Sequence, residues 1–123
     1  MAEHYERIVD CRLRAATELF THAWDPLVLA ALRAGPLRRR ELRLAIGGVS
    51  DKMLTETFNR LMDIGLVQRR AYRQAPPRVD YGLTPVGASF VAGPLSALAE
   101  WITEHGDDLV RAVERADSAG RSG

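Results

Sequence analysis

One cysteine (Cys11) and one lysine (Lys52) are all that this chain of 123 residues contains of either type. A lone cysteine excludes an intramolecular disulfide. No apolar run approaches the roughly 18 residues that a membrane-spanning helix needs. The opening segment, MAEHYERIVD, is too polar for a secretory signal. Together these absences lead us to expect a cytoplasmic protein without membrane contact. Also missing are a glycine-rich phosphate loop, an HExxH helix, a paired-carboxylate pocket and a Cys/His arrangement. Chemistry at Cys11 would need a nearby base, and neither His4 nor His22 is spaced to supply one. His4, His22 and His105 have no spacing suited to a shared metal site. Neither enzymatic activity nor a metal or cofactor is expected.

Hydrophobic residues make up 46% of the chain, enough at this length for one domain with its own core. We assign residues 1–116 to that domain. Residues 117–123 (DSAGRSG) lack apolar anchors and are expected to form a disordered tail. The net charge of +1 conceals an asymmetry. Residues 33–78 hold eleven Lys/Arg against four Asp/Glu, while the remainder holds six against twelve. Such clustering is the electrostatic footprint of phosphate binding.

Helical periodicity dominates the pattern. Tyr5, Ile8, Val9, Leu13, Ala16 and Phe20 predict a first helix over Glu6–Thr21. Asp25 is expected to cap a second, with Pro26 at its first position and Trp24 stapled onto Leu29. That helix, PLVLAALRA, is apolar nearly all round and should be the central buried one. A third is expected over Arg38–Ile46, with Leu42, Ala45 and Ile46 inward and Arg39, Arg40 and Arg43 largely outward. Gly47-Gly48 then turns the chain into a helix capped by Ser50. Met53, Leu54, Phe58, Leu61 and Met62 give this helix an apolar face; Lys52, Thr55, Glu56 and Asn59 lie opposite.

Gly65 should stop that helix. Strands are expected over Leu66–Arg73 and Arg78–Thr84, flanking the turn at Pro76-Pro77. Val79, Tyr81 and Leu83 share one face of the second strand. Thr84-Pro85 opens a long helix that Pro94 should kink. After Gly106, Asp107 is expected to start a last short helix. The fold class is therefore mainly α with a small β-hairpin (α+β). A short-turned helix pair followed by a basic hairpin is the plan of a winged helix-turn-helix, which makes double-stranded DNA the expected partner. The apolar terminal helices exceed what a small monomer can cover. A homodimer is expected, with Ile8, Val9, Leu13, Leu95, Leu98, Trp101 and Ile102 in its seam.

From Cys11 to Trp101 the chain resembles the HxlR-type transcriptional regulators, relatives of the MarR group of winged-helix proteins. The resemblance rests on GPLR (35–38) followed by Glu41-Leu42, SDKMLT (50–55), DIGLVQR (63–69) and PPRVDYGLTPVG (76–87), in order and in spacing. It implies a homodimeric DNA-binding regulator that dimerises through its first and last helices. Arg12 replaces a proline usual after the cysteine, His22-Ala23 replace Gly-Lys before Trp24, and Arg39 stands where an aromatic is common.

Lys52, Thr55, Glu56 and Asn59 are the candidates for groove contacts, with Ser50 at the helix start; the competing reading is a solvated face. Glu56 could accept from a cytosine amino group or pair with Lys52 or Arg60. Arg38, Arg39, Arg40 and Arg43 are candidates for phosphate contacts, against plain surface charge. For Arg39 a second option is a stem packed on the core. Arg73 and Arg78 lie nearest the wing tip. Asp80 reads as a cross-strand partner for an arginine. Cys11, Phe20, His22, Trp24, Phe90 and Trp101 are the candidates for sensing an oxidant or a small apolar effector, against ordinary packing. A winged-helix module that binds a protein partner without DNA is the alternative function.

Overall fold

A computed structural model describes residues 11–122, in two compact units that divide after Val91. The first unit runs α1 (Cys11–Glu18), α2 (Trp24–Ala31), α3 (Arg39–Ile46), α4 (Asp51–Asp63), β1 (Val67–Tyr72), β2 (Arg78–Leu83) and α5 (Pro85–Phe90). Tyr5, Ile8 and Val9 lie outside the described residues. Val28, Leu29 and Leu32 from α2 and the turn after it, Leu42 from α3, and Leu54, Phe58 and Leu61 from α4 are each at most 2% exposed. They form the centre of the core. The second helix is not buried all round, since Leu27 is 48% exposed, and on α3 Ala45 is exposed whereas Leu42 is buried. None of the residues of α1 is buried within this unit.

Local chemistry explains the element ends. The Ser50 hydroxyl accepts from the Met53 N–H at 3.1 Å, capping α4 as its sequence position requires. At the other end Gly65 takes φ +77°, and the Leu66 and Gly65 N–H groups return to the Leu61 and Met62 carbonyls at 2.9 and 3.1 Å. This is the glycine-terminated closure that β-carbon-bearing residues resist. The Thr84 hydroxyl caps α5 by accepting from the Gly87 N–H at 3.1 Å, with Pro85 at the first helical position.

Asp25 does not cap α2. The helix starts one residue earlier, at Trp24, and the residue before it is already helical. The Asp25 carboxylate is instead turned inward against Arg60. Nor does Arg38 enter α3; it precedes the helix, and its N–H donates to the Glu41 carboxylate at 2.9 Å.

β1 and β2 pair antiparallel from Val67 opposite Leu83 to Tyr72 opposite Arg78. A third segment joins them: the Leu37 and Tyr81 backbones exchange hydrogen bonds of 2.9 and 2.8 Å. Tyr81 stacks flat on Phe58, with ring centroids 3.9 Å apart and planes at 1°. The hairpin is thereby fixed to α4. Gly87 lets α5 approach the hairpin closely, since a β-carbon there would lie 2.1 Å from the Leu66 carbonyl oxygen.

Pro94 sits within a π-helical turn, Val91–Leu95, so the expected kink takes the form of one wide turn. The second unit is dominated by α6, a single helix over Ser96–Ser122. No new helix starts at Asp107, because a lone glycine at 106 costs a helix only about 1 kcal/mol and does not stop it. The same helix runs on through 117–122, the stretch assigned above to a tail. Leu98, Trp101, Ile102, Leu109, Val110 and Val113 are 39–56% exposed on α6. Leu95 is 9% exposed and does not belong to that stripe.

Candidate nucleic-acid interface

α3 and α4, joined by a turn with positive φ at Gly47 and Gly48, form the helix-turn-helix. Lys52, Thr55 and Asn59 are exposed on α4, Glu56 is half-buried, and Ser50 stands exposed at the helix start. Arg38, Arg40 and Arg43 are exposed around α3, and Arg73 is exposed in the wing turn. The candidate reading residues and these four arginines are thus accessible or half-buried, while Leu54, Phe58 and Leu61 anchor α4 in the core.

Three of the candidate arginines are engaged within the chain. Arg39 is half-buried at the joint of α3 and α4. Its Nε lies 3.3 Å from Asp51 Oδ1, and its Nη2 donates to the Asp51 carbonyl at 2.8 Å. The same Nη2 donates to the Thr55 hydroxyl. The guanidinium carbon lies 5.8 Å above the Phe58 ring. Arg39 thus has a stem on the core and a head bonded to α4, with 35% of its side chain still exposed. Arg43 Nη1 is 3.3 Å from the other Asp51 oxygen. Arg78 pairs in two-pronged fashion with Asp80 at 3.0 and 3.2 Å and lies 5.6 Å from the Tyr72 ring centroid. Asp80 is 4% exposed. Its partner is two residues away on the same strand, not across the ladder, where Arg70 stands opposite. Arg78 holds the Asp80 carboxyl below the usual carboxylate range, and Asp80 raises the Arg78 guanidinium in turn.

The sequence reading missed Asp51, which ties Arg39 and Arg43 to the start of α4. It also missed the buried link between α4 and α2. Arg60 Nη2 lies 2.7 Å from Asp25 Oδ1 and donates to the Thr57 hydroxyl at 3.2 Å. The bond to Asp25 raises the Arg60 pKa despite the opposing cost of burial. Both acids could be recognised as acids at helix starts, but nothing local identifies partners 12 and 35 residues away.

The proposed sensing residues divide between the two units, five in the first and Trp101 in the second. Cys11 is exposed. Phe20 and Phe90 meet at 5.7 Å between centroids. Trp24 is half-buried, and Trp101 lies on α6 beside His105, 5.1 Å away. Of the six, His22 lines a cavity of about 690 Å³, together with Ala15, Ala16, Leu19, Ile64 and the Asp25–Arg60 pair. Among the described residues no helix is long and apolar enough to cross a membrane, and no group of three potential metal ligands occurs.

Residues 19–109 match the family model described as HxlR-like helix-turn-helix. The chain is 44% identical over 92 residues to the uncharacterized HTH-type transcriptional regulator YtfH of Escherichia coli K12, covering 75% of this chain and 72% of that one. The solved structure of the putative transcriptional regulator ytfH from Salmonella typhimurium superposes with a TM-score of 0.68 at 36% identity, covering 85% and 93% of the two chains. The reduced form of the transcriptional regulator YodB from B. subtilis gives 0.70 at 28% identity, covering 76% and 91%. Winged-helix geometry and family match agree: the chain belongs to the HxlR-like helix-turn-helix family of transcriptional regulators.

Proposed function

We propose that this regulator works as a homodimer on a pseudo-palindromic operator, most simply as a repressor in the cytoplasm. The observation that carries this reading is the exposed row Lys52, Thr55 and Asn59 on α4, in a helix-turn-helix unit where Arg38, Arg40 and Arg73 are also exposed. α4 enters the major groove, the α3 arginines hold phosphates, and the wing turn follows the adjacent backbone. Arg39 and Arg78, already bonded within the chain, orient the reading surface more than they touch DNA. Arg43 shares its charge between Asp51 and the phosphates.

The exposed stripe Leu98, Trp101, Ile102 and Leu109 on α6 supports the dimer, because apolar surface repeating along a helix is covered by a like helix at little cost. Leu13 on α1 is likewise 40% exposed. Footprinting on the duplex beside the protein's own gene tests this arrangement. Two protected half-sites about 34–36 Å apart are expected; a single protected site would leave a monomeric reader.

An effector response is the finer part of the proposal. The cavity beside His22 offers apolar walls, the Asp25–Arg60 pair and two further acids, Glu18 and Asp63, to a small molecule. Cys11, exposed on α1, offers a thiol to an oxidant; the similar YodB was solved both reduced and after diamide treatment. Loss of operator binding on oxidation, restored by a reductant and absent in Cys11→Ser, tests the second route.

A further inference from the structure

The Arg39–Thr55 contact has a consequence for which base the recognition helix accepts. Guanidinium carries five N–H donors and no acceptor. In its bond to Arg39 Nη2 the Thr55 oxygen therefore accepts. A free threonine hydroxyl donates or accepts equally well. Here one of the two lone pairs is taken by a fixed cation, which polarises the oxygen, weakens the second lone pair as an acceptor and strengthens the O–H as a donor. The cation is fixed at three points: Asp51 Oδ1 at 3.3 Å, the Asp51 carbonyl at 2.8 Å, and the Phe58 ring at 5.8 Å. Thr55 is exposed, one helical turn from both Lys52 and Asn59 on the surface proposed to face DNA.

We propose that Arg39 is a positioning residue that makes Thr55 a hydrogen-bond donor toward the major groove. Purine N7, guanine O6 and thymine O4 are acceptors there, whereas cytosine offers only its amino donor. The recognition helix then discriminates against cytosine at one strand position of each half-site. This rests on the DNA-binding reading above and adds base preference to it. Side chains with no donor at position 39 would leave the Thr55 hydroxyl free to rotate and accept.

Selection from a randomised duplex pool with the full chain tests this, because it reads preference position by position and not only affinity. Thr55→Val identifies the position that Thr55 reads. There the wild type should disfavour cytosine by about fivefold, the worth of one net hydrogen bond. Arg39→Phe keeps an apolar contact on Phe58 and should erase that preference at that position alone, leaving the others intact. Arg39→Lys, which keeps the charge but not the planar fork, is the second variant and should weaken the preference at the same place. Thr55→Ser should retain it. Arg39 variants that lower binding to every sequence alike, with the profile unchanged, would reduce Arg39 to a tether between helices. Equal acceptance of cytosine by the wild type at the Thr55 position would also overturn the proposal. A wild-type chain that enriches no sequence at all would instead sink the DNA-binding reading, a separate and recognisable outcome.

Discussion

Arg60 grips Asp25 through two nitrogens of its guanidinium, Nη2 at 2.7 Å and Nε at 3.2 Å, and so joins α4 to α2. Asp25 is 3% exposed. A carboxylate this deep is tolerated because a matched donor neutralises it. Asp25→Ala leaves Arg60 without its partner, but Arg60 is 29% exposed and can turn toward water. We therefore expect a loss of about 2–3 kcal/mol, somewhat below that for a fully buried pair. Urea unfolding at constant m-value measures it. A loss below about 0.5 kcal/mol would mean that the pair merely breaks even.

The Arg78–Asp80 pair predicts a pH dependence. Arg78 depresses the Asp80 carboxyl, so the folded chain keeps it ionised where the unfolded chain begins to take up a proton. The stabilisation is present above the ordinary carboxylate value of about 4 and is lost as pH falls through the depressed folded value. The melting temperature of the wild type should exceed that of Asp80→Asn by a constant margin from pH 7 to 5, and the margin should shrink below about pH 4. A gap independent of pH down to 2 would assign the effect to packing.

Gly87→Ala should be among the most damaging small substitutions. Its β-carbon would meet the Leu66 carbonyl oxygen at 2.1 Å, and backbone cannot swing aside as a flexible side chain does. We expect at least about 2 kcal/mol of destabilisation. An unchanged melting temperature would show that α5 can shift off the hairpin freely.

Leu98→Asp should split the proposed dimer, since it sets a charge into the apolar stripe of α6. Sedimentation should report half the mass with the helical signal of the first unit retained. An unaltered mass would take Leu98 out of the seam.

Much of this architecture could be read in the sequence because its signals are local. Ser50 and Thr84 cap their helices, Gly65 ends α4, and the Leu54–Phe58–Leu61 face is buried as its periodicity requires. Pairings between distant residues could not be read that way. Asp25, followed by a proline, has the sequence signature of a cap, and tertiary pairing with Arg60 overrode it. Asp80 suggested a partner across the ladder, yet Arg78 reaches it along its own strand. Arg39 on a helix surface suggested a solvent-facing charge; only the nearness of Asp51, Thr55 and Phe58 in space shows it fastened to α4. The long α6 ignored Gly106 for the opposite reason, because a single glycine is too weak a signal to break a helix.

The central claim is that the exposed face of α4 reads DNA. Fluorescence anisotropy with the duplex beside the protein's own gene, against a scrambled duplex of equal length over a salt series, tests it most directly. The account predicts tight binding to the first only, weakening steeply with salt. Asn59→Ala should lower that selectivity by roughly 1–3 kcal/mol, while Arg40→Ala weakens both duplexes and flattens the salt slope by about one. Equal binding of both duplexes by the wild type, or no binding even at low salt, would contradict it and leave a protein partner as the better account of this surface.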